Sequence, residues 1–247
     1  MYRFFMEDGI TSEKDITIQG DDYNHIKNVL RMKPGEEVLI SDGKDREYLC
    51  RIKEIRNQEI LLAIEDIIGT SRELPTKITL FQGFPKGDKM EQIIQKTVEL
   101  GVYEIVPVMM KRSIVKLDEK KAARKTERFN QIALSAAKQS KRGIIPKVSS
   151  PVKFEEAVRQ AKEMDAFLLP YENAEGMEGA RTLLKSMKGK DSIAVFIGPE
   201  GGFDDSEVRM AMEAGAKTLT LGNRILRTET AGMAVLSILM FLLEEEM

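Results

Sequence analysis

The pattern of hydrophobic and polar positions along the chain changes near Thr76. Before this residue, short apolar runs that alternate as in β-strands are separated by turn signals, among them Pro34-Gly35 and Asp42-Gly43. One short helix through His25 interrupts them. A segment that is mostly β with short turns predicts a small closed or half-closed β-barrel. The strands predicted in this part span residues 16–18, 37–41, 47–55 and 59–67.

After Thr76, strand-like runs alternate with longer helical patterns, which is typical of βαβ units and a largely parallel sheet. A basic segment repeats apolar residues at helical spacing between Phe129 and Ala137, so its charged side chains are expected on the opposite, solvated face. The other predicted elements are strands at 77–83, 103–110, 166–170, 193–198 and 218–222, and helices at 88–100 and 230–245. We therefore expect an α/β protein with an N-terminal β-barrel, divided into domains 1–72 and 73–247.

Composition narrows the class of protein. With 247 residues and 42% hydrophobic content, the chain can build real cores. A single cysteine, Cys50, and a single histidine, His25, exclude an internal disulfide and ordinary zinc sites. The longest apolar block, Ala231–Leu243, is 13 residues long, whereas a membrane-spanning helix needs roughly 20. These features predict a cytoplasmic, metal-independent protein that does not enter a membrane.

The net charge of −2 conceals a strongly basic segment. Between Lys111 and Lys147 there are 12 Lys or Arg residues against three acids, so this stretch alone carries +9. Glu244, Glu245 and Glu246, in contrast, form an acidic run. A local charge of this sign is compatible with a nucleic-acid partner, although the average charge is not.

The stretch AVFIGPEGGFDDSEV, residues 194–208, joins a strand to a helix. Asp204 and Glu207 have the spacing of a helix-capping box. A tight strand-to-helix connection would explain the acids and one glycine. Gly198, Gly201 and Gly202 together indicate, in addition, that the backbone closely approaches a ligand or another backbone.

The type of ligand is narrowed by what this turn lacks. Phosphate cradles combine helix N-terminal amides with positive charge, but no Lys or Arg occurs from Gly198 to Val208. No phosphate-binding loop or dinucleotide fingerprint occurs elsewhere in the chain. The pattern disfavours a nucleotide-dependent oxidoreductase and remains compatible with S-adenosylmethionine, which has no phosphate and carries a positive sulfonium.

A second loop, LGNRILRTETAG at residues 221–232, precedes the last helix. Gly222 and Asn223 turn the chain, and Arg224 and Arg227 interrupt an otherwise apolar sequence. They are either surface arginines or part of a ligand site, because loops at the carboxyl ends of neighbouring parallel strands converge on one crevice. In a site, two arginines would suit an RNA phosphate or a developing negative charge.

The last predicted helix is apolar on most of its circumference, which indicates either a central position or a subunit interface. We expect a homodimer contact there. His25, in contrast, is expected to be a packing or capping residue rather than a catalyst.

Two motifs, IGPEGGFDDSEV and LTLGNRILRTETAG, closely resemble the cofactor motifs of the RsmE family of bacterial methyltransferases, which belong to the SPOUT (α/β-knot) superfamily. HIKNVLRMKPGEEV, GDKMEQIIQKTVELGV, KRSIVK and ALSAAKQSKRGIIPKV resemble the other signatures of that family, in the expected order. The resemblance implies a PUA-like RNA-binding β-barrel followed by a SPOUT domain with a deep trefoil knot, acting as a homodimer. It also implies methyl transfer from S-adenosylmethionine to N3 of a uridine in 16S rRNA of the small ribosomal subunit.

The activity that this resemblance implies leads to a hypothesis about the roles of particular residues. Arg227 is the candidate for stabilising a uracil anion, and Glu200 is a weaker candidate as base or as ligand orienter. A non-catalytic RNA-binding or ribosome-assembly protein on the same fold remains the alternative. The cofactor-binding residues expected are Leu169, Gly198, Gly201, Gly202, Leu221, Gly222 and Leu226. The RNA-binding residues expected are Arg3, Arg31, Lys33, Arg112, Gln139 and Arg142. For Arg3, Arg31 and Lys33 the alternative is scattered surface charge, since they form a nucleic-acid face only if they cluster.

Overall fold

The computed structural model describes residues 1–6, 14–43, 46–69, 73–115, 118–171, 174 and 176–244. The chain forms two compact units, Met1–Glu73 with Ala137–Ile145, and Leu74–Ala136 with Pro146–Met247. The predicted division into 1–72 and 73–247 differs from this grouping at Glu73 and at Ala137–Ile145, both of which belong to the first unit. Residues 70–72, where the division was expected, lie outside the described part of the chain.

The first unit contains a five-stranded sheet in the order β1-β3-β4-β5-β2. β1 pairs with β3 in parallel, and the other neighbours are antiparallel. Alternate strand residues such as Val38, Ile40, Ile60 and Leu62 are fully buried in one core. Strand β1 was not predicted, because four residues at the chain start show no period. The elements are β1 (Tyr2–Phe5), β2 (Asp15–Ile18), α1 (Gly20–Asn24), a π-helical turn (His25–Val29), β3 (Glu37–Ser41), β4 (Arg46–Ile55) and β5 (Ile60–Gly69).

The second unit contains a parallel sheet in the order β12-β10-β11-β6-β7-β8, with β9 also pairing with β7. Strands β6 and β11 are buried almost throughout, as expected for central strands covered on both faces. The strands are β6 (Lys77–Gly83), β7 (Glu104–Met109), β8 (Lys147–Val148), β9 (Val152–Lys153), β10 (Ala166–Pro170), β11 (Ser192–Ile197) and β12 (Lys217–Leu219). The helices are α2 (Lys89–Glu99), α3 (Glu119–Ser140), α4 (Phe154–Lys162), α5 (Met177–Lys185), α6 (Asp205–Glu213) and α7 (Thr228–Leu243).

This strand order determines where a site can lie. β12, β10, β11 and β6 are neighbours and parallel, so their carboxyl ends meet at one edge of the sheet. The loops that follow these four strands therefore converge there. They include both motifs singled out in the sequence, Gly198–Gly202 after β11 and Leu221–Arg227 after β12.

Helix α7 packs against α2 and begins at Thr228, two residues earlier than predicted. Its predicted last residue, Glu245, lies outside the described residues. None of the described helices is long and apolar enough to cross a membrane. The trefoil knot stays a prediction, since strand order and pairing do not define how the chain is threaded.

Candidate cofactor site

The loop after β11 folds tightly back on itself. The Gly202 amide donates to the Pro199 carbonyl at 2.9 Å, and Gly202 has a positive φ of 68°. A Cβ atom on Gly198 would lie 3.1 Å from the carbonyl carbon of Gly202, and one on Gly201 would lie 3.0 Å from the Cβ of Arg112. The glycines predicted that the backbone closely approaches a ligand or another backbone. In the structure, Gly198 and Gly201 closely approach other parts of the protein itself.

A second close approach joins this loop to the end of β6. A Cβ atom on Gly83 would lie 2.6 Å from the backbone nitrogen of Pro199 and 2.7 Å from its Cδ. Backbone atoms cannot yield as a flexible side chain can. Only glycine therefore allows the two loops to touch in this way.

Two of the acids in this turn stabilise the start of α6. Asp204 accepts from the Ser206 amide at 3.1 Å, and Glu207 accepts from the Asp204 amide at 2.9 Å, which completes the predicted capping box. Hydrogen bonds from the Ser206 hydroxyl and amide, with the nearby Lys111 ammonium, lower the pKa of Asp204 to about 2. Glu207 is buried and also accepts from the Lys111 amide at 2.8 Å, which connects the loop after β7 to α6.

Glu200 faces a different set of partners. It accepts from the Lys86 amide at 3.1 Å and pairs with the Lys89 ammonium at 3.0 Å. Burial raises the pKa of Glu200, but hydrogen bonds from its own amide, from Lys89 and from the Lys86 amide lower it by more, so the pKa lies below its ordinary value. The same contact with Glu200 raises the pKa of Lys89. An ionised carboxylate held in this way is a poor proton acceptor and is better suited to holding the Lys89 side chain in place.

The loop after β12 turns through Thr220 and Gly222. The Gly222 amide donates to the Thr220 hydroxyl at 3.2 Å, and Gly222 has a φ of 119°. This turn ends β12 at Leu219, before the predicted end of the strand. The backbone of Arg227 is extended at the start of α7, and its side chain is exposed.

These loops enclose a cavity of about 550 Å³, within the usual range for small-molecule sites. Six of the seven predicted cofactor residues line it, as do both catalytic candidates, Arg227 and Glu200. The seventh, Leu169, has a side chain that is fully buried in the sheet core, whereas its neighbours Pro170 and Tyr171 line the cavity. The lining residues are Lys89, Pro170, Tyr171, Ile197, Gly198, Pro199, Glu200, Gly201, Gly202, Phe203, Thr220, Leu221, Gly222, Arg224, Ile225, Leu226, Arg227, Thr228 and Ala231.

The charge of this cavity differs from the expectation based on the turn. Among the described residues that line it, Glu200 is the carboxylate, while Lys89, Arg224 and Arg227 are cations. Asp204 and Glu207 point into the helix cap instead. The acidity of the sequence GPEGGFDDSE is thus mainly a property of α6, and it does not by itself select a cationic ligand.

The predicted RNA-binding residues fall into two groups. Arg31, Lys33, Arg112 and Gln139 are exposed, and Arg112 donates to the Gly201 carbonyl at 3.1 Å. Arg3 and Arg142 have buried guanidinium groups: Arg3 pairs with Glu47 and donates to the Arg142 carbonyl at 3.0 Å, and Arg142 pairs with Glu73. These two arginines stabilise the first unit, so the RNA contact predicted for them is not retained.

Comparison with known proteins identifies the family to which this architecture corresponds. Residues 72–240 match the profile of an RNA methyltransferase domain, and residues 18–65 match that of an RNA methyltransferase PUA domain. The chain is 35% identical over 243 residues to ribosomal RNA small subunit methyltransferase E of Bacillus subtilis, which covers 96% of this chain and 95% of that protein. The chain belongs to the RsmE family. The family resemblance read from the sequence is thereby confirmed, as is the fold class with its PUA-like and SPOUT parts.

Other RsmE-family members match over nearly the whole chain. The enzyme of the same name from Mesomycoplasma hyopneumoniae is 35% identical over 237 residues, covering 96% of this chain and 98% of that protein. A ribosomal RNA small subunit methyltransferase E from Neisseria gonorrhoeae, solved bound to S-adenosyl methionine, has a TM-score of 0.81. It is 32% identical and covers 96% of this chain and 95% of its own.

Sequence reasoning missed three residues near this RsmE-family site. Lys89 and Tyr171 line the cavity, and Gln82 lies behind it at the end of β6. Lys89 is part of the GDKM signature, which could have indicated it. Nothing local in the sequence marks Tyr171 or Gln82. In the described part of the chain, no group of three or more His, Cys, Asp or Glu side chains is placed to hold a metal ion.

Proposed function

We propose that this RsmE-family protein transfers a methyl group from S-adenosylmethionine to N3 of a specific uridine in 16S rRNA of the small ribosomal subunit. The cavity between the loops after β11 and β12 is the observation that supports this function most directly, because residues of both family motifs line it. Its glycine-rich walls and the apolar side chains of Ile197, Leu221 and Leu226 suit an adenosine group. From the ribosomal substrate we infer that the reaction takes place in the cytoplasm.

S-adenosylmethionine, when bound, supplies a methyl group activated by the positive sulfonium. Methylation forms an N3–carbon bond and breaks a sulfur–carbon bond, so the sulfur leaves as a neutral thioether with the bonding electron pair, and the N3 proton passes to solvent. The site must therefore favour the uracil anion. Arg227 lines the cavity with an exposed guanidinium and is the group we assign to that charge. Glu200, whose lowered pKa disfavours a role as base, instead orients Lys89 at the cavity wall.

The role of Arg227 predicts a loss of turnover in Arg227→Ala. We expect kcat to fall by about 10²-fold to 10³-fold, as when one donor to a developing anion is removed. The affinity for S-adenosylmethionine should change by less than about threefold, because the cofactor-binding residues remain. The measurement is methyl transfer to small ribosomal subunits, with cofactor affinity from calorimetric titration.

Arg224→Ala is the matched control, since Arg224 lies in the same loop and also lines the cavity. An equal loss of kcat in both variants would show that general positive charge, rather than Arg227, is responsible. The rival function, a non-catalytic RNA-binding or ribosome-assembly protein, predicts no S-adenosylmethionine binding by the unaltered chain. Mapping of the modified base would test the assignment to N3 of uridine.

We infer that Arg31, Lys33 and Gln139 of the first unit contact the substrate RNA, and that Arg112 of the second unit also contacts it. All four are exposed, and the PUA profile covers the segment that contains Arg31 and Lys33. Replacing Arg31 and Lys33 by Gln should lower the slope of log affinity against log salt by about 1.4, if each contacts one phosphate of single-stranded RNA. Lys185 and Lys188, both exposed in or just after α5, provide a control double replacement of equal charge. An unchanged slope in Arg31→Gln/Lys33→Gln would contradict the assignment.

We also infer a homodimer that forms through α7. Phe241 is 82% exposed and Ile238 is 38% exposed on this helix, although its other face is buried against the unit. These two residues are three positions apart and so lie on one face of the helix, and a contiguous exposed apolar patch often marks a protein–protein contact. The apolar circumference read from the sequence is therefore divided between a core face and this exposed face.

A further inference from the structure

Gln82 is a polar side chain in an apolar place. It is fully buried near the end of β6, where Leu80 and Phe81 are also fully buried. A buried amide destabilises the fold unless hydrogen bonds replace those it made with water. Its Oε1 atom has no hydrogen-bond partner among the described residues, so an apolar side chain would be the simpler choice for stability alone.

The amide nitrogen of Gln82 begins a short relay of hydrogen bonds. Nε2 donates to the Gly83 carbonyl at 3.1 Å and to the Thr228 hydroxyl at 2.8 Å. The Thr228 hydroxyl in turn donates to the Gly198 carbonyl at 2.7 Å. Gln82 is buried and Thr228 nearly so, and hydrogen bonds at such sites are not weakened by competing water.

This relay joins three segments that are distant in the sequence. Gln82 and Thr228 are 146 positions apart, and Thr228 and Gly198 are 30 apart. Gly198 is the first residue of the loop after β11, and Thr228 is the first residue of α7. Both line the cavity, whereas Gln82 lies behind them. The relay therefore connects the two cofactor motifs to each other and to the end of β6.

A role limited to helix capping does not explain Thr228. Threonine at a helix start commonly caps the helix with its hydroxyl. In α7 the N-cap position is Arg227, and there is no side-chain cap hydrogen bond. The Thr228 hydroxyl instead donates to the neighbouring loop, so its bond stabilises the arrangement of the loops rather than the helix.

We propose that Gln82 and Thr228 are positioning residues that hold the loops after β11 and β12 in the arrangement that binds the methyl donor. This inference rests on the proposed function, because it assigns an adenosine-containing ligand to the cavity. Loops that are already ordered need not be ordered at the expense of binding free energy. Loss of the relay lowers the fraction of molecules with a binding-competent cavity, and the apparent affinity falls by that fraction.

The test compares Thr228→Val with Thr228→Ser. Valine keeps the shape and removes the hydroxyl, whereas serine keeps the hydroxyl. We expect Thr228→Val to raise the Kd and the KM for S-adenosylmethionine about tenfold. Its kcat at saturating cofactor should stay within about twofold of the unaltered enzyme, because the reacting groups are unchanged. Thr228→Ser should bind within about threefold of the unaltered enzyme.

A second pair of variants separates positioning from general stability. Gln82→Met removes the donor to Thr228 but leaves the Thr228–Gly198 bond, so we expect a smaller loss of affinity, about threefold. The double variant Gln82→Met/Thr228→Val should lose little more than Thr228→Val alone, since residues of one relay are not additive. All affinities are measured at a temperature at which circular dichroism shows every variant fully folded.

The outcomes distinguish this inference from the proposed function. If the unaltered chain binds no S-adenosylmethionine, the proposed function fails, and the relay with it. If the unaltered chain and Thr228→Ser bind the cofactor and Thr228→Val binds it equally well, only the relay is wrong. Fully additive losses for Gln82→Met and Thr228→Val, or a kcat that falls as much as the affinity, would also overturn it.

Discussion

At Gly83 the absence of a single methyl group allows two segments of the cofactor site to meet. A Cβ atom there would lie within 2.6–2.9 Å of Pro199 and Gly198 backbone atoms and the Pro199 ring. Such distances require the backbone to move, not merely a side chain. The neighbouring residue Gln82 donates into the same region, so a shift at Gly83 would also disturb the relay to Thr228.

The replacement Gly83→Ala is therefore expected to abolish measurable cofactor binding while the sheet stays folded. The displaced loop after β11 supplies Gly198 to Phe203 of the cavity wall. Calorimetric titration and thermal unfolding, taken together, provide the measurement.

Gly179→Ala is the control, because a Cβ on this α5 residue meets nothing within 4 Å. In a helix that change should stabilise the fold by up to ~1 kcal/mol. Unaltered binding by Gly83→Ala would show that the loop contact is not needed.

At the scale of elements, α7 carries two surfaces. Its buried face, which includes Val235, Leu236 and Leu239, packs within the second unit, and its other face exposes Phe241.

Replacing Phe241 by Glu should convert the proposed dimer into monomers, since it places a charge in an apolar contact. Sedimentation equilibrium measures the change. Met212→Glu, at an exposed apolar position beyond the dimer helix, should leave the association state as it is. A monomeric unaltered protein would contradict the interface.

Most elements could be predicted from the sequence because their patterns are local. β3, β6 and β10 have the predicted bounds, and the capping box at α6 is present. Helix α4 was not predicted, although Phe154, Ala157, Val158 and Ala161 lie buried at helical spacing and could have indicated it. The two-residue strands β8 and β9 are too short to show any period.

Some residues of the site could be predicted from the sequence and others could not, for a physical reason. The glycine loops were found because tight turns need particular residues at particular positions. The burial of Leu169 and the pairing of Arg3 with Glu47 depend on chain segments far away in the sequence, which local patterns do not report. The same is true of Gln82, whose partner lies 146 positions away.

At the scale of the whole molecule, Arg142 stabilises the first unit although it lies late in the sequence. Its guanidinium nitrogen Nε donates to both Glu73 carboxylate oxygens at 3.2 Å, and the Gly143 amide donates to the same carboxylate at 2.9 Å. The Arg142 side chain is 5% exposed and that of Glu73 is 12% exposed. An ion pair so deeply buried is costly to break on one side only.

Arg142→Met should accordingly lower the free energy of unfolding by ~3–5 kcal/mol, because Glu73 is left buried without its partner. Denaturant titration followed by circular dichroism measures the loss. Arg51→Met serves as the control: Arg51 pairs with both Glu37 and Glu65 at the surface of the same unit. Exposed pairs contribute only ~0–1 kcal/mol each. Equal losses in the two variants would show that burial of the Arg142 pair has no special effect. Arg142→Met/Glu73→Gln should recover part of the stability.

The return of Ala137–Ile145 to the first unit also bears on the order in which the protein is made. Synthesis proceeds from the N-terminus, and domains generally fold as units while the chain emerges. Here the first unit lacks Arg142 until α3, an element after β7 in the sequence, has left the ribosome. We therefore expect its N-terminal strands to remain incompletely stabilised while the first strands of the second unit are translated. We expect the nascent first unit to become protease-resistant only after residue 145 has emerged from the exit tunnel.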